Sequence, residues 1–188
     1  MIEPCAGRGD IVLAAKQCYP DWMWGLVEKR EEEQEALDAI LGEADVLAIG
    51  DAFEEIDASI DFATLILTNP PFVLAQRFIQ TFAPLVPRSF WLLRLNFLGS
   101  KKRRNWLARE QPNVYILPDR PCFGPTLDKE TGDWKRHPKT GKLKLSTDSI
   151  EYAWFEFGAH TTGKWTLLDL TPKEEIKDDL LRRFPEAA

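Results

Sequence analysis

Histidine is nearly absent from this chain of 188 residues, which holds only His137 and His160. That argues against a zinc centre built on imidazoles and against a histidine-based catalytic site, so no metal is expected. Cysteine is almost as scarce. Cys5, Cys18 and Cys122 show neither paired nor metal-ligand spacing, and a reducing, cytoplasmic setting is the simple reading. No apolar run approaches the length of a membrane span, and no secretory leader pattern is visible, so no membrane partner is expected. What is left is an ordinary globular composition, 44% hydrophobic and 29% charged. A length of 188 residues suits one domain, 1–188, with a sizeable core.

Apolar runs and helical periodicities alternate along the chain. Strands are expected near 2–4, 22–28, 45–50, 62–68, 89–96, 113–117, 150–158 and 165–170, with helices near 9–18, 31–42, 72–84, 100–110 and 173–184. The last helix has Thr171 as N-cap, Pro172 at its first position and Glu174 completing a capping box. Such alternation predicts an α/β fold, a doubly wound and mostly parallel sheet flanked by helices. In such sheets the ligand site lies beyond the carboxyl ends of the strands. Glu3, Glu28, Asp51 and Asn69 all fall at those ends.

Asn69-Pro70-Pro71-Phe72 directly follows the apolar run 62–68. Proline lacks an N–H, fixes its own φ and extends the residue before it, so carbonyls in this stretch are left without ladder partners. The Asn69 side-chain oxygen and the Pro70 carbonyl are both placed to accept from one exocyclic amino group, while Phe72 offers a face for stacking. At the N-terminus, Glu3-Pro4-Cys5-Ala6-Gly7-Arg8-Gly9-Asp10 puts a glycine pair at a strand-to-helix turn, where a ligand can approach the backbone closely. Glu28, roughly 20 residues past the glycines, sits where a carboxylate commonly accepts from ribose hydroxyls. The other reading of Glu28 is one more charge at the head of an acidic helix. Gly50-Asp51-Ala52-Phe53 closes a third apolar run, Val46 to Ile49.

These four segments, in this order, resemble the motifs of amino-methyltransferases that use S-adenosylmethionine, in particular the DNA adenine-N6 family. The resemblance implies a Rossmann-like methyltransferase sheet. It makes Asn69, Pro70, Pro71 and Phe72 catalytic, and Glu3, Pro4, Ala6, Gly7, Gly9, Glu28, Asp51, Ala52, Phe53 and Asn69 cofactor-binding. Glu3 would face the cofactor's ammonium or a bridging water, Asp51 would accept from its adenine amino group, and Phe53 would pack on the adenine ring. Phe123, in the segment Arg120 to Gly124, is the candidate aromatic on the opposite face of the target base, with core packing as its alternative. The segment 148–158 resembles the family's closing aromatic strand. Extraction of the base from a duplex is implied.

The resemblance covers residues 1 to about 158. It departs at the start, where only Met1 and Ile2 precede Glu3 and a start further upstream is one reading, and in the lack of a large target-recognition domain. The same motif also resembles that of enzymes that methylate RNA bases or protein glutamine amides. An inactive, cofactor-binding remnant is a third reading.

Charge points to the partner. Residues 28–61 hold 13 acidic and 2 basic side chains, a balance of −11, whereas residues 94–144 hold 13 basic and 5 acidic, a balance of +8. Within the second segment lie Lys101, Lys102, Arg103 and Arg104, then Lys135 and Arg136. A local basic surface binds phosphates even where the total charge, here −6, is negative. DNA is therefore the expected partner, or RNA, although a solvated helix face is the other reading of 101–104. Residues 124–149 read as a basic inserted loop or hairpin.

Overall fold

The computed structural model describes residues 1–56, 65–125, 135–138, 140–141, 145–147 and 149–169. Strand and helix alternate through the first half: β1 (Ile2–Glu3), α1 (Asp10–Cys18), β2 (Gly25–Glu28), α2 (Gln34–Asp38), β3 (Val46–Ile49), α3 (Ala52–Glu55), β4 (Leu65–Thr68) and α4 (Ala75–Phe82). The second half adds β5 (Arg88–Arg94), α5 (Arg104–Glu110), β6 (Asn113–Ile116), β7 (Cys122–Pro125), β8 (Leu145–Thr147), β9 (Tyr152–Gly158) and β10 (Trp165–Leu167).

Eight strands form one sheet in the order β10-β6-β9-β5-β4-β1-β2-β3, and β7 and β8 form a separate two-stranded ladder. Every pairing in the large sheet is parallel except those of β9, which runs antiparallel between β5 and β6. The doubly wound, mostly parallel α/β sheet expected from the sequence is present. Short as it is, β1 sits at the centre: Ile2 pairs with Gly25 on one side and Ile66 on the other.

Helix α4 shows why these residues fold as they do. Ala75, Phe78, Ile79 and Phe82 recur at helical spacing and are all buried, an apolar stripe that turns toward the sheet. Phe82 is 1% exposed, and full burial of such a ring is worth about 1.5–3 kcal/mol. Further along the same layer Trp106 of α5 stacks on Phe157 of β9, with centroids 5.4 Å apart.

Several boundaries differ from expectation. The helix expected over 31–42 is a 3-10 turn at Glu31–Glu33 followed by only five residues of α2. Glu31, Glu32, Glu33 and Glu35 crowd like charges into its first turns, which weakens them. The helix expected from residue 72 starts at Ala75, because the Leu74 N–H turns back to the Pro71 carbonyl at 2.8 Å. The region 100–110 opens with a turn, and α5 begins at Arg104. Helix α3 was not expected; Asp51 caps it by accepting from the Phe53 N–H at 3.0 Å. At the root of the segment 124–149, Cys122 pairs with Thr147 and Pro125 with Leu145. The expected strand residues 62–64 and the expected helix 173–184 lie outside the described residues.

Candidate active site

The chain leaves β1 for β2 and β3 on one side of the sheet and returns for β4 on the other, so the strand order reverses between β1 and β4. A crevice opens beyond the carboxyl ends of two such strands. Here it is a cleft of about 1000 Å³. Its floor is made by Glu3 at the end of β1 and Asn69 just past β4. Residues 4–7 form one wall, Glu28 and Asp51 to Phe53 a second, and Pro70 to Phe72 a third. All the expected cofactor-binding and catalytic residues line this cleft except Gly9.

Gly7 and Gly9 both have positive φ, 58° and 79°, but they face different ways. A Cβ on Gly7 would meet only the Arg30 guanidinium at 3.9 Å, whereas one on Gly9 would lie 2.1 Å from Ile40 Cδ1. Gly9 therefore lets α1 approach the segment around α2, and Gly7 alone leaves the cleft open. The Gly9 N–H donates to the Ala6 carbonyl at 2.8 Å, and Ala6 N–H to the Val27 carbonyl at 3.0 Å, which ties the loop to β2.

The oxygens of the cleft fall into two kinds. Glu28 is buried and engaged at both oxygens: Oε2 accepts from the Gly7 N–H at 2.7 Å, and Oε1 from the Arg30 N–H and Nε at 3.0 and 2.8 Å. Although burial alone would raise its pKa, these donors hold it below the ordinary carboxylate value. Asp51, besides capping α3, accepts from Lys29 Nζ at 2.8 Å. Each Asp51 oxygen thus takes one hydrogen bond, and the carboxylate positions Phe53.

Glu3 and Asn69 are the other kind. Glu3 is 1% exposed, and neither its Oε2 nor Asn69 Oδ1 has a hydrogen-bond partner among the described residues although both atoms are buried. Burial, reinforced by the negative charges of Asp10 and Glu28, pushes the Glu3 carboxyl well above its ordinary value. The Pro70 carbonyl likewise accepts no hydrogen bond among the described residues, while that of Pro71 serves the turn to Leu74. Neither carbonyl has a ladder partner, and that of Pro71 is used only in the turn.

Phe72 is half-buried, its ring 5.8 Å from that of Tyr152 and 4.7 Å from the Arg94 guanidinium. Arg94 Nε also donates to Tyr152 Oη at 3.2 Å. Arg77 lies 3.9 Å from the Phe53 ring. Sequence reasoning missed Arg94, Tyr152 and Arg77, all of which line the cleft. Arg94 was within reach of the rule used for Asn69, since it too ends a strand.

The basic residues expected to meet substrate are not gathered in the cleft. Arg103 borders a small adjoining cavity with Phe72 and Arg94. Its Nε donates to the Phe97 carbonyl at 3.0 Å and its guanidinium lies over the Phe97 ring, so its work is structural. Lys101, Lys102 and Arg104 are exposed and away from the lining. Arg136 donates to the Gly141 carbonyl, and Lys135 lies beside it in the chain, again outside the lining. Phe123 falls in β7, and its side chain is outside what the structure describes. No group of three or more His, Cys, Asp or Glu among the described residues is arranged to hold a metal ion, and no helix there is long and apolar enough to cross a membrane.

No family model and no curated protein matches this sequence. Solved structures share its fold. Precorrin-6y C5,15-methyltransferase from Geobacter metallireducens aligns with a TM-score of 0.54 at 12% identity, covering 85% of this chain and 79% of that one. TrmK from M. capricolum, in complex with the cofactor product S-adenosyl-homocysteine, aligns at 0.52 and 7%, covering 92% and 66%. A DNMT2 mutant from Spodoptera frugiperda aligns at 0.53 and 11%, covering 91% of this chain and 55% of its own. At such identities the likeness is one of fold. The chain has the Rossmann-like methyltransferase fold.

Proposed function

We propose that this protein transfers a methyl group from S-adenosylmethionine to the exocyclic amino group of a nucleic-acid base, with adenine N6 in DNA as the target its motif suits best. The observation that carries the reading is Asn69 Oδ1, a buried acceptor without a donor, beside an unpartnered Pro70 carbonyl at a strand end. Leaving such an atom unsatisfied costs roughly 1–3 kcal/mol, so its survival in the fold calls for a ligand donor.

The cleft suits the cofactor on four features of its own. Glu3 Oε2 is a second orphaned acceptor, fit for an ammonium. Gly7 leaves open space beside residues 4–6, and Phe53 with Ala52 supplies an apolar wall. Glu28 Oε2, which takes one hydrogen bond, retains a lone pair for a hydroxyl donor. When bound, S-adenosylmethionine supplies a methyl group made electrophilic by its sulfonium.

The chain's own part is positioning. An aromatic amine is a poor nucleophile because its lone pair is delocalised into the ring. Acceptance of its protons by Asn69 Oδ1 and the Pro70 carbonyl draws the nitrogen toward a tetrahedral arrangement and frees that pair. Holding nucleophile and methyl group in line then provides much of the rate. Phe72 steadies the ring by stacking, which is worth about 1–3 kcal/mol per base. The segregated basic charge of residues 94–144 favours a nucleic acid over a glutamine amide, and Ser149, just beyond β8, brings the root of the inserted arm to the cleft.

The test is methyl transfer from labelled cofactor to unmethylated DNA, with digestion to nucleosides and Asn69→Ala alongside. Label on adenine N6 that disappears in the variant is the expected result. Cofactor binding without label on DNA moves the substrate to RNA or a protein amide, and no cofactor binding overturns the enzyme reading.

A further inference from the structure

The rim of the cleft carries an apolar projection that neither the core nor the acceptor motif uses. Phe72 is followed by Val73, which is 96% exposed, and Leu74, which is 42% exposed. A lone exposed valine needs no explanation. This one immediately follows the acceptor residues and stands on a rigid base. Pro70 and Pro71 fix the backbone before it, the Leu74 N–H bonds the Pro71 carbonyl at 2.8 Å, and the Phe78 N–H bonds the Leu74 carbonyl at 3.0 Å. Behind it Phe72 is held against Tyr152 and Arg94. Cations flank the projection. Exposed Arg77 lies one turn further along the chain and lines the same cleft, and Arg94 borders the cleft and the small cavity beside Phe72.

We infer that Val73, backed by Leu74, is a wedge that enters the base stack of a DNA duplex and fills the gap left when the target base moves into the cleft. The inference rests on the methyltransferase reading and narrows its substrate to duplex DNA. A base taken out of a duplex leaves its neighbours without stacking partners. Apolar side chains inserted at such a step replace part of the lost contact. A β-branched side chain suits the task because χ1 is stiff, so little rotamer freedom is lost on insertion. Flanking cations meet the phosphates on either side. Single-stranded DNA has no stack to replace, so the contribution of Val73 is confined to paired substrate.

Val73→Ser removes the apolar tip from a position that is 96% exposed, so the fold stays intact. Wild type and variant are compared by kcat/KM on duplex DNA, on the same DNA as single strands, and on duplexes mispaired at the methylated base. On paired duplex the variant falls by about tenfold or more, and on the other two forms it stays within about twofold of wild type. A second reading needs no cofactor: with 2-aminopurine at the target position, duplex fluorescence rises on adding wild type and rises less with the variant. Equal losses on paired and single-stranded DNA, or no loss on either, overturn the wedge while leaving the methyltransferase reading in place. A wild type that transfers methyl to no nucleic acid overturns both.

Discussion

The acidic wall of the cleft and its floor present the same kind of atom in opposite states. On the wall, Glu28 accepts from three donors and Asp51 from two, so their oxygens hold loops in shape. On the floor, Glu3 Oε2 and Asn69 Oδ1 accept from none among the described residues. Both regions lie at strand ends and looked alike in the sequence. A partnered oxygen contributes to the fold, and a buried unpartnered one weakens it, so the second kind marks where a ligand belongs.

The comparison breaks most visibly at Asn69. Asn69→Ala lowers methyl transfer by roughly 100-fold or more, the scale seen when one preorganised hydrogen-bonding group is lost. Because Oδ1 bonds nothing among the described residues, Tm stays unchanged or rises. A fall in Tm matching the loss of activity would show that Asn69 belongs with the wall. Glu28→Ala should do the reverse and cost about 2 kcal/mol in denaturant unfolding, since it strips partners from the Gly7 N–H and from Arg30.

The two glycines sharpen the same contrast. Gly7→Ala costs about 1 kcal/mol through its positive φ alone. Gly9→Ala adds an overlap with Ile40, for a total of about 2–3 kcal/mol. Equal losses at the two positions would mean that Ile40 yields without strain.

The smallest effect is the pH dependence of the two glutamates. Glu3 has a raised folded pKa, so its contribution is present below the ordinary 4.5 and is lost as pH climbs toward the folded value. Glu28 has a lowered folded pKa, so its contribution is present above 4.5 and is lost as pH falls through the folded value. Glu3→Gln should therefore raise Tm relative to wild type on the alkaline side, with the gap closing toward pH 4.5. A gap that does not change with pH would remove the buried Glu3 proton from the account.

Much of the framework was legible because it is local. The strands reveal themselves as apolar runs, and the run before Asn69 ends where two prolines stop it. Over 31–42 the reading went too far, since periodicity alone does not register four crowded glutamates. Helix α3 was missed although Asp51 and Glu54 carry the spacing of a capping pair, because the segment is one turn long. A Gly-x-Gly turn makes Gly9 look ligand-facing, since it does not reveal that Ile40 will pack on it. Arg94 and Tyr152 were missed as a pair for a different reason. They stand opposite each other in the antiparallel register of β5 and β9, 58 residues apart in the chain.

The sequence by itself determined the alternation of strand and helix, the position of each acidic or amide residue at a strand end, and the carbonyl without a ladder partner that a double proline leaves behind. These follow from φ/ψ limits and from hydrophobic period, which act over a few residues. Only the tertiary structure decided which oxygens are left free, which glycine opens the cleft and which cations reach it. Those outcomes depend on donors and packing surfaces brought together from distant parts of the chain, and no local pattern carries that information.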